Sequence, residues 1–292
     1  MQIYYGTFEK YIDITQICKD KFMIDNQINI PHYDKIRKYF FGNPNPNNEN
    51  QKIIIKDRNE IKAFDNNHRV EFNLNDNSYC AININYIHSK LNIKHGTLIE
   101  ELPEQLMTFS ILNKKNKVLE IGGNIGRNSL IIASLLENDK NLVVLECDTK
   151  ISKQLEENKQ LNNFNFHIEN AALSKRKLIQ KEWITIPSDT LIDGYNFVNN
   201  IITFDELNKK YNIAFDTLIL DCEGAFYYIL LDMPEILDNI KLIIMENDYT
   251  DIKEKEYVDK ILIKNNFYRC YVEALGYGEM VCEKCFFEIW KK

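Results

Sequence analysis

Apolar positions change their spacing near residue 92. Before it, short apolar runs at Gln2–Tyr5, Phe22–Ile30 and Lys52–Lys56 are separated by polar stretches. Two more, Glu60–Phe64 and Arg69–Leu74, flank Asp65-Asn66-Asn67-His68 within the stretch 59–85. Short runs bounded by residues that tolerate turns predict antiparallel strands and hairpins. Gly42-Asn43-Pro44-Asn45-Pro46-Asn47-Asn48 is a polar loop with nothing to pack. Residues 1–92 are therefore expected to form a small β-rich accessory domain without a catalytic constellation.

From residue 93 to 292, strand-like runs alternate with amphipathic helices. Strands are expected at 117–121, 141–146, 165–169, 215–221 and 241–246, with a closing pair at 267–272 and 284–290. Helices are expected at 125–137, 152–162, from Ala225, and at 253–264. This alternation predicts βαβ units, hence a mostly parallel sheet with helices on both faces. Such sheets bind ligands at the carboxyl ends of their strands, near the switch point of strand order. The segment 175–200 has no clear pattern and is expected to be an insertion over the active site. Its Trp183, Tyr195 and Phe197 are candidates to stack on a sugar ring, although aromatic side chains are more often core.

Chemistry is expected at the strand ends. The first strand of the second domain runs into Glu120-Ile121-Gly122-Gly123-Asn124-Ile125-Gly126. A dinucleotide fingerprint would need glycine where Asn124 stands, so that motif is broken. What remains places a carboxylate, Glu120, before a turn whose glycines let the backbone approach a ligand. A carboxylate there pairs with a cation and repels a pyrophosphate, so the ligand implied is S-adenosylmethionine (SAM). Gly122, Gly123, Asn124 and Gly126 are the loop's expected contacts. Glu146, about 20 residues on, is placed to accept ribose hydroxyls, with Cys147 beside it. Asp148 is a rival by spacing but suits a helix N-cap better. The fourth strand ends in Asp221-Cys222-Glu223-Gly224-Ala225 and the next in Glu246-Asn247-Asp248. If the strand continues, its period of two puts Asp221 and Glu223 on one side, where they can share a proton, act as general base, or hold a divalent cation. Glu246 is the supporting acid.

Four segments in order resemble the FkbM-type SAM-dependent methyltransferases of the class I fold. They are Val118–Gly126 with its Gly-x-Asn-x-Gly core, Glu169-Asn170-Ala171-Ala172-Leu173-Ser174, Thr203-Phe204-Asp205-Glu206-Leu207, and Asp221-Cys222-Glu223-Gly224-Ala225. The resemblance covers about residues 95–292, and Phe226 departs from the acid that the family carries there. It implies a Rossmann-like, seven-stranded, mostly parallel sheet with an antiparallel final hairpin. It also implies SAM in the crevice, Asn170 and Ala171 near the adenine, and methyl transfer to an oxygen, often a sugar hydroxyl. Asp221 then also borders the cofactor.

Composition narrows the partners. A chain of 292 residues with 45% hydrophobic residues has material for packed cores and is not disordered. A net charge of -7 argues against duplex nucleic acid as partner. A small-molecule or glycan acceptor is expected. RNA methylation, or a binding module that has lost activity, are the rival readings. Met1–Lys10 lacks a signal-peptide pattern, no apolar run is long enough to span a membrane, and the 7 cysteines have no framework spacing. A cytoplasmic protein is expected. Cys282 and Cys285 form a lone CxxC that suits a turn into the final strand better than zinc. His95 and His167 are expected to be surface or packing residues.

Overall fold

A computed structural model describes residues 1–47, 50–57, 60–276, 278 and 280–292. Asn48 and Asn59, which end the polar loop and open the second hairpin stretch, lie outside the described residues. The chain divides into two compact units: Met1–Leu91 with Leu106–Asn113, and Asn92–Gln105 with Lys114–Lys292.

The first unit has two four-stranded antiparallel sheets. One is ordered Tyr11–Asp13, Gln2–Gly6, Lys52–Asp57, Glu60–Phe64; the other is Met23–Ile24, Gln27–Ile30, Arg69–Asn73, Tyr79–Ile82. The run Phe22–Ile30 is not one strand. Asp25 and Asn26 take left-handed backbone angles and fold it into a hairpin. Helices Thr15–Phe22, Asp34–Phe41 and Ile84–His88 also lie in this unit, where only strands and loops are expected from the sequence. Arg69 is buried, and its guanidinium donates to the carbonyls of Phe109 and Leu112 at 2.9 and 2.7 Å. A buried cation on the unsatisfied carbonyls of a helix C-terminus explains why Leu106–Asn113 belongs with this unit.

The second unit is built on a seven-stranded sheet. Its strands are β1 (Val118–Ile121), β2 (Leu142–Leu145), β3 (His167–Glu169), β4 (Thr217–Leu220), β5 (Leu242–Glu246), β6 (Tyr268–Glu273) and β7 (Phe287–Lys291). The order is β3-β2-β1-β4-β5-β7-β6, and β7 runs antiparallel to both neighbours. This is the mostly parallel sheet with a closing antiparallel hairpin that the resemblance implies. β1, β2 and β4 are buried along their whole length. That is why they read as continuous apolar runs rather than alternating ones. Strand order reverses between β1 and β4, so the crevice opens there.

The glycines of the loop after β1 have a packing reason. A Cβ on Gly122 would stand 1.5 Å from the Asp221 carbonyl oxygen, and one on Gly123 2.2 Å from Val144. On Gly126 it would stand 2.4 Å from Leu155. The loop is glycine-rich because protein presses on it, not only because a ligand must.

The segment 175–200 is ordered. Leu178–Lys181 pairs antiparallel with Ile184–Pro187 and with Asn196–Phe197. The TFDEL segment is a capping box: the Thr203 side chain accepts from the Glu206 amide, and Glu206 reaches back to the Thr203 amide.

Candidate functional site

Register places the site. Ile121 pairs with Leu145 on one side and Leu220 on the other, and Leu220 pairs with Met245. The next residue on each strand is therefore Gly122, Glu146, Asp221 or Glu246, all at one edge of the sheet. Three strand spacings of about 4.8 Å carry this row across about 14 Å. A cavity of about 740 Å³ lies over it.

Of the expected cofactor contacts, Gly122, Asn124, Glu146, Cys147, Ala171 and Asp221 line the cavity. Gly123 and Gly126 face Val144 and Leu155 instead. Glu120 is 3% exposed and lies outside the lining. It points behind the loop, where the Ser129 hydroxyl donates to it. Burial pushes its carboxyl up to about 8. The carboxylate that lines the cavity at this corner is Glu101, which accepts from Asn124 Nδ2 and Arg127. Asn170 is also outside the lining. Its side-chain amide donates to the Glu146 and Cys147 carbonyls, tying the loop after β3 to the loop after β2. The NAALS segment thus has a structural role beside any ligand role.

Glu146 is fixed from both ends. One oxygen accepts the Asn124 amide at 2.9 Å and the other the Asp148 amide at 2.8 Å. Burial pushes it up to about 7. Asp148 caps the helix Thr149–Leu161, as its position suggests.

At the other end of the row, β4 stops at Leu220, and Asp221-Cys222-Glu223-Gly224 is a turn rather than more strand. Glu223 and Gly224 have φ of +51° and +76°. Strand alternation therefore does not join Asp221 to Glu223. Asp221 instead meets acids from β5: one oxygen each of Asp221, Glu246 and Asp248 lies within 4.8 Å of the others. Glu223 sits at the cavity rim, outside this group.

Burial, and then mutual repulsion, raises these carboxyls. Burial, then the charges of Asp248, Glu101 and Glu104, raises Asp221 well above the usual carboxylate range. Burial and the hydrogen-bonding Glu104 carboxyl push Glu246 up to about 12. Asp248 rises to about 7, through burial first and then Glu223. Burial alone raises Glu223. Glu104 is buried, with one carboxylate oxygen lacking a hydrogen-bond partner, and Asp248 Oδ2 is likewise unpartnered.

Glu101, Glu104 and Asp248 were not singled out as site residues. Asp248 has a signal, as part of the acidic end of β5. Glu101 and Glu104 have none, because the segment before residue 106 is brought in by tertiary bonds. Asn158, fully buried, accepts the amides of Lys94 and His95 and donates to the carbonyls of His95 and Ile125. Six carboxylates line the cavity; among the described residues Arg127 is the only lining cation, and it is paired with Glu100 and Glu101. The histidines are elsewhere: His95 pairs with Glu157, and His167 packs on Tyr211. No helix among the described residues is long and apolar enough to cross a membrane.

No family model matches the chain, and no curated protein matches it. Solved structures do. One is an O-methyltransferase from Bacillus cereus in complex with SAH, 14% identical, covering 72% of this chain and 88% of that one, with a TM-score of 0.41. Another is Aeropyrum pernix fibrillarin with natively bound S-adenosyl-L-methionine, 11% identical, covering 77% and 94%, with a TM-score of 0.41. A third is an rRNA methylase from Streptococcus thermophilus, 10% identical, covering 68% and 98%, with a TM-score of 0.40.

Proposed function

We propose that the second unit is a SAM-dependent O-methyltransferase of FkbM type, acting on a hydroxyl of a sugar or glycan precursor. The observation that carries this is the row Glu146, Gly122, Asp221, Glu246 along one cavity edge. Six carboxylates facing one paired arginine suit a cationic ligand. Leu145, Ala171 and Leu178 give the Glu146 end an apolar slot for a base. Bound SAM supplies an electrophilic methyl group on its sulfonium.

This chain's residues then have distinct tasks. Glu146 accepts from the ribose hydroxyls, its carboxylate held in place by two backbone amides. The acid end faces the reacting groups. A hydroxyl is a weak nucleophile until its proton is removed, and a base works best with a pKa near the operating pH. Asp221 lines the cavity there and is the candidate base, its carboxyl raised by burial and by Asp248 beside it, while Glu246, near 12, keeps its proton and orients by donating. Asp221 lies between these two acids and the loop after β1. Holding the acceptor oxygen in line with the methyl group contributes more to rate than the base does.

A divalent cation also fits this end, because three carboxylate oxygens converge and Asp248 Oδ2 has no partner. Asp221, Glu246 and Asp248 would hold it, with Glu223 outside the set, and it would polarise the acceptor hydroxyl. The acidic lining favours a neutral acceptor over a nucleotide diphosphate or RNA.

Calorimetry with SAM tests the cofactor: absence of binding at millimolar concentration removes the enzyme reading and leaves a binding module. A radiolabelled-methyl assay against sugars, nucleotide sugars and RNA tests the acceptor. Labelling of RNA alone replaces the glycan reading with the RNA one.

A further inference from the structure

The chain has 2 tryptophans, and they differ sharply. Trp290 is 3% exposed within the core, whereas Trp183 is 55% exposed yet lines the cavity. An exposed tryptophan at a cavity mouth is a large apolar surface without a packing explanation.

Its setting is specific. Lys181 pairs with Ile184, so Glu182 and Trp183 form the two-residue turn of a hairpin, with Glu182 at φ +52°. Gln180 and Thr185 are direct cross-strand partners and share one face of that hairpin. Leu178, two residues before Gln180 on the same strand, falls on that face by alternation, and Trp183 reaches the cavity from the turn. All four line the cavity. The face is pinned over the end of β2, because the Cys147 thiol donates to Gln180 Oε1 at 3.7 Å. Cys147 adjoins Glu146, the residue assigned to the ribose. The hairpin therefore roofs the Glu146 end of the row and not the Asp221–Glu246–Asp248 end.

We infer that Trp183 is a cofactor-binding residue, stacking on the adenine of the bound nucleoside instead of on an acceptor sugar. Leu145, Ile151 and Ala171 supply apolar surface at the same end of the cavity. Ring-on-base stacking suits a site that must hold a nucleobase without reading its edges. The inference rests on the methyltransferase reading.

Tryptophan fluorescence during titration with S-adenosylhomocysteine tests it, with calorimetry run in parallel. The wild type should show saturable quenching whose midpoint matches the calorimetric Kd. Adenosine should also quench, and methionine should not. Trp183→Ala should weaken S-adenosylhomocysteine binding about ten-fold or more. Trp183→Phe should recover most of that affinity while abolishing the quenching, since Trp290 is buried. Melting curves of both variants check that the hairpin substitution leaves the fold intact. Calorimetric binding with no quenching, or with unchanged affinity in Trp183→Ala, overturns the stacking role while leaving the methyltransferase reading standing. Quenching by a glycan acceptor and not by adenosine returns Trp183 to the acceptor. No calorimetric binding of S-adenosylhomocysteine at all removes both readings together.

Discussion

Gly122 and Glu120 sit two residues apart and show two different residue-level constraints. Gly122 has φ +90° and no room for a Cβ beside the Asp221 carbonyl. Gly122→Ala combines backbone strain with a backbone clash, so a loss of about 3 kcal/mol or more is expected in urea denaturation. A loss under 1 kcal/mol would show that the loop adapts. Glu120 is buried with its folded pKa raised to about 8. A raised carboxyl keeps its proton in the folded state, so its contribution is fully present below the unfolded value of about 4.3 and fades as pH rises through 8. Glu120→Gln should therefore match the wild type in melting temperature at pH 4 and exceed it at pH 8.5. An equal offset at both pH values would refute this. Asp221→Asn should keep SAM affinity within a few-fold and lower turnover at least 100-fold, the order expected for a residue placed at the reacting groups. Unchanged turnover in a single-turnover assay takes Asp221 out of the chemistry.

At the scale of elements, the site depends on a segment that its own sequence does not mark. Residues 92–105 bring Glu101 and Glu104 to the cavity, and Asn158 on the helix Thr149–Leu161 ties that segment down through its buried side-chain amide. Asn158→Leu keeps the volume and strands several buried backbone groups, each costing about 1–3 kcal/mol. The expected result is a stability loss of several kcal/mol together with weaker SAM binding. Hydrogen exchange should show faster opening of 92–98 in this variant, and unchanged protection there would mean that the tether is dispensable. The capping box at Thr203 is a smaller device of the same kind. It gives the Thr203-Phe204-Asp205-Glu206-Leu207 segment a structural task that needs no contact with ligand.

For the whole molecule, the acidic balance has a location. The cavity concentrates carboxylates that cannot all ionise together, so a cationic ligand stabilises the folded chain by satisfying them. S-adenosylmethionine, which carries the sulfonium, should at 100 times its Kd add about 2.7 kcal/mol to unfolding. Scanning calorimetry with and without ligand measures this, and no upward shift at saturating ligand would contradict the site. On the proposed reading, anionic acceptors are expected to be poor substrates, with the largest penalty at low salt, where charges are least screened.

The sequence by itself determined the sheet of the second unit and the places where its strands deliver acids. Buried parallel strands must be apolar throughout, and the turns that end them must use glycine or acid, so both show in one dimension. It also made Asp148 readable as a cap, because capping is local. The tertiary structure alone decided which acids meet. Asp221 joins Glu246 and Asp248 through strand register and not Glu223 through alternation, because Glu223 and Gly224 turn the chain out of the strand. It turned Glu120 away from the cavity and brought Glu101 into it, through bonds between residues distant in sequence. It also laid an unpatterned insertion over the Glu146 end. Periodicity reports which side of an element is buried; it carries no information about what that side is buried against.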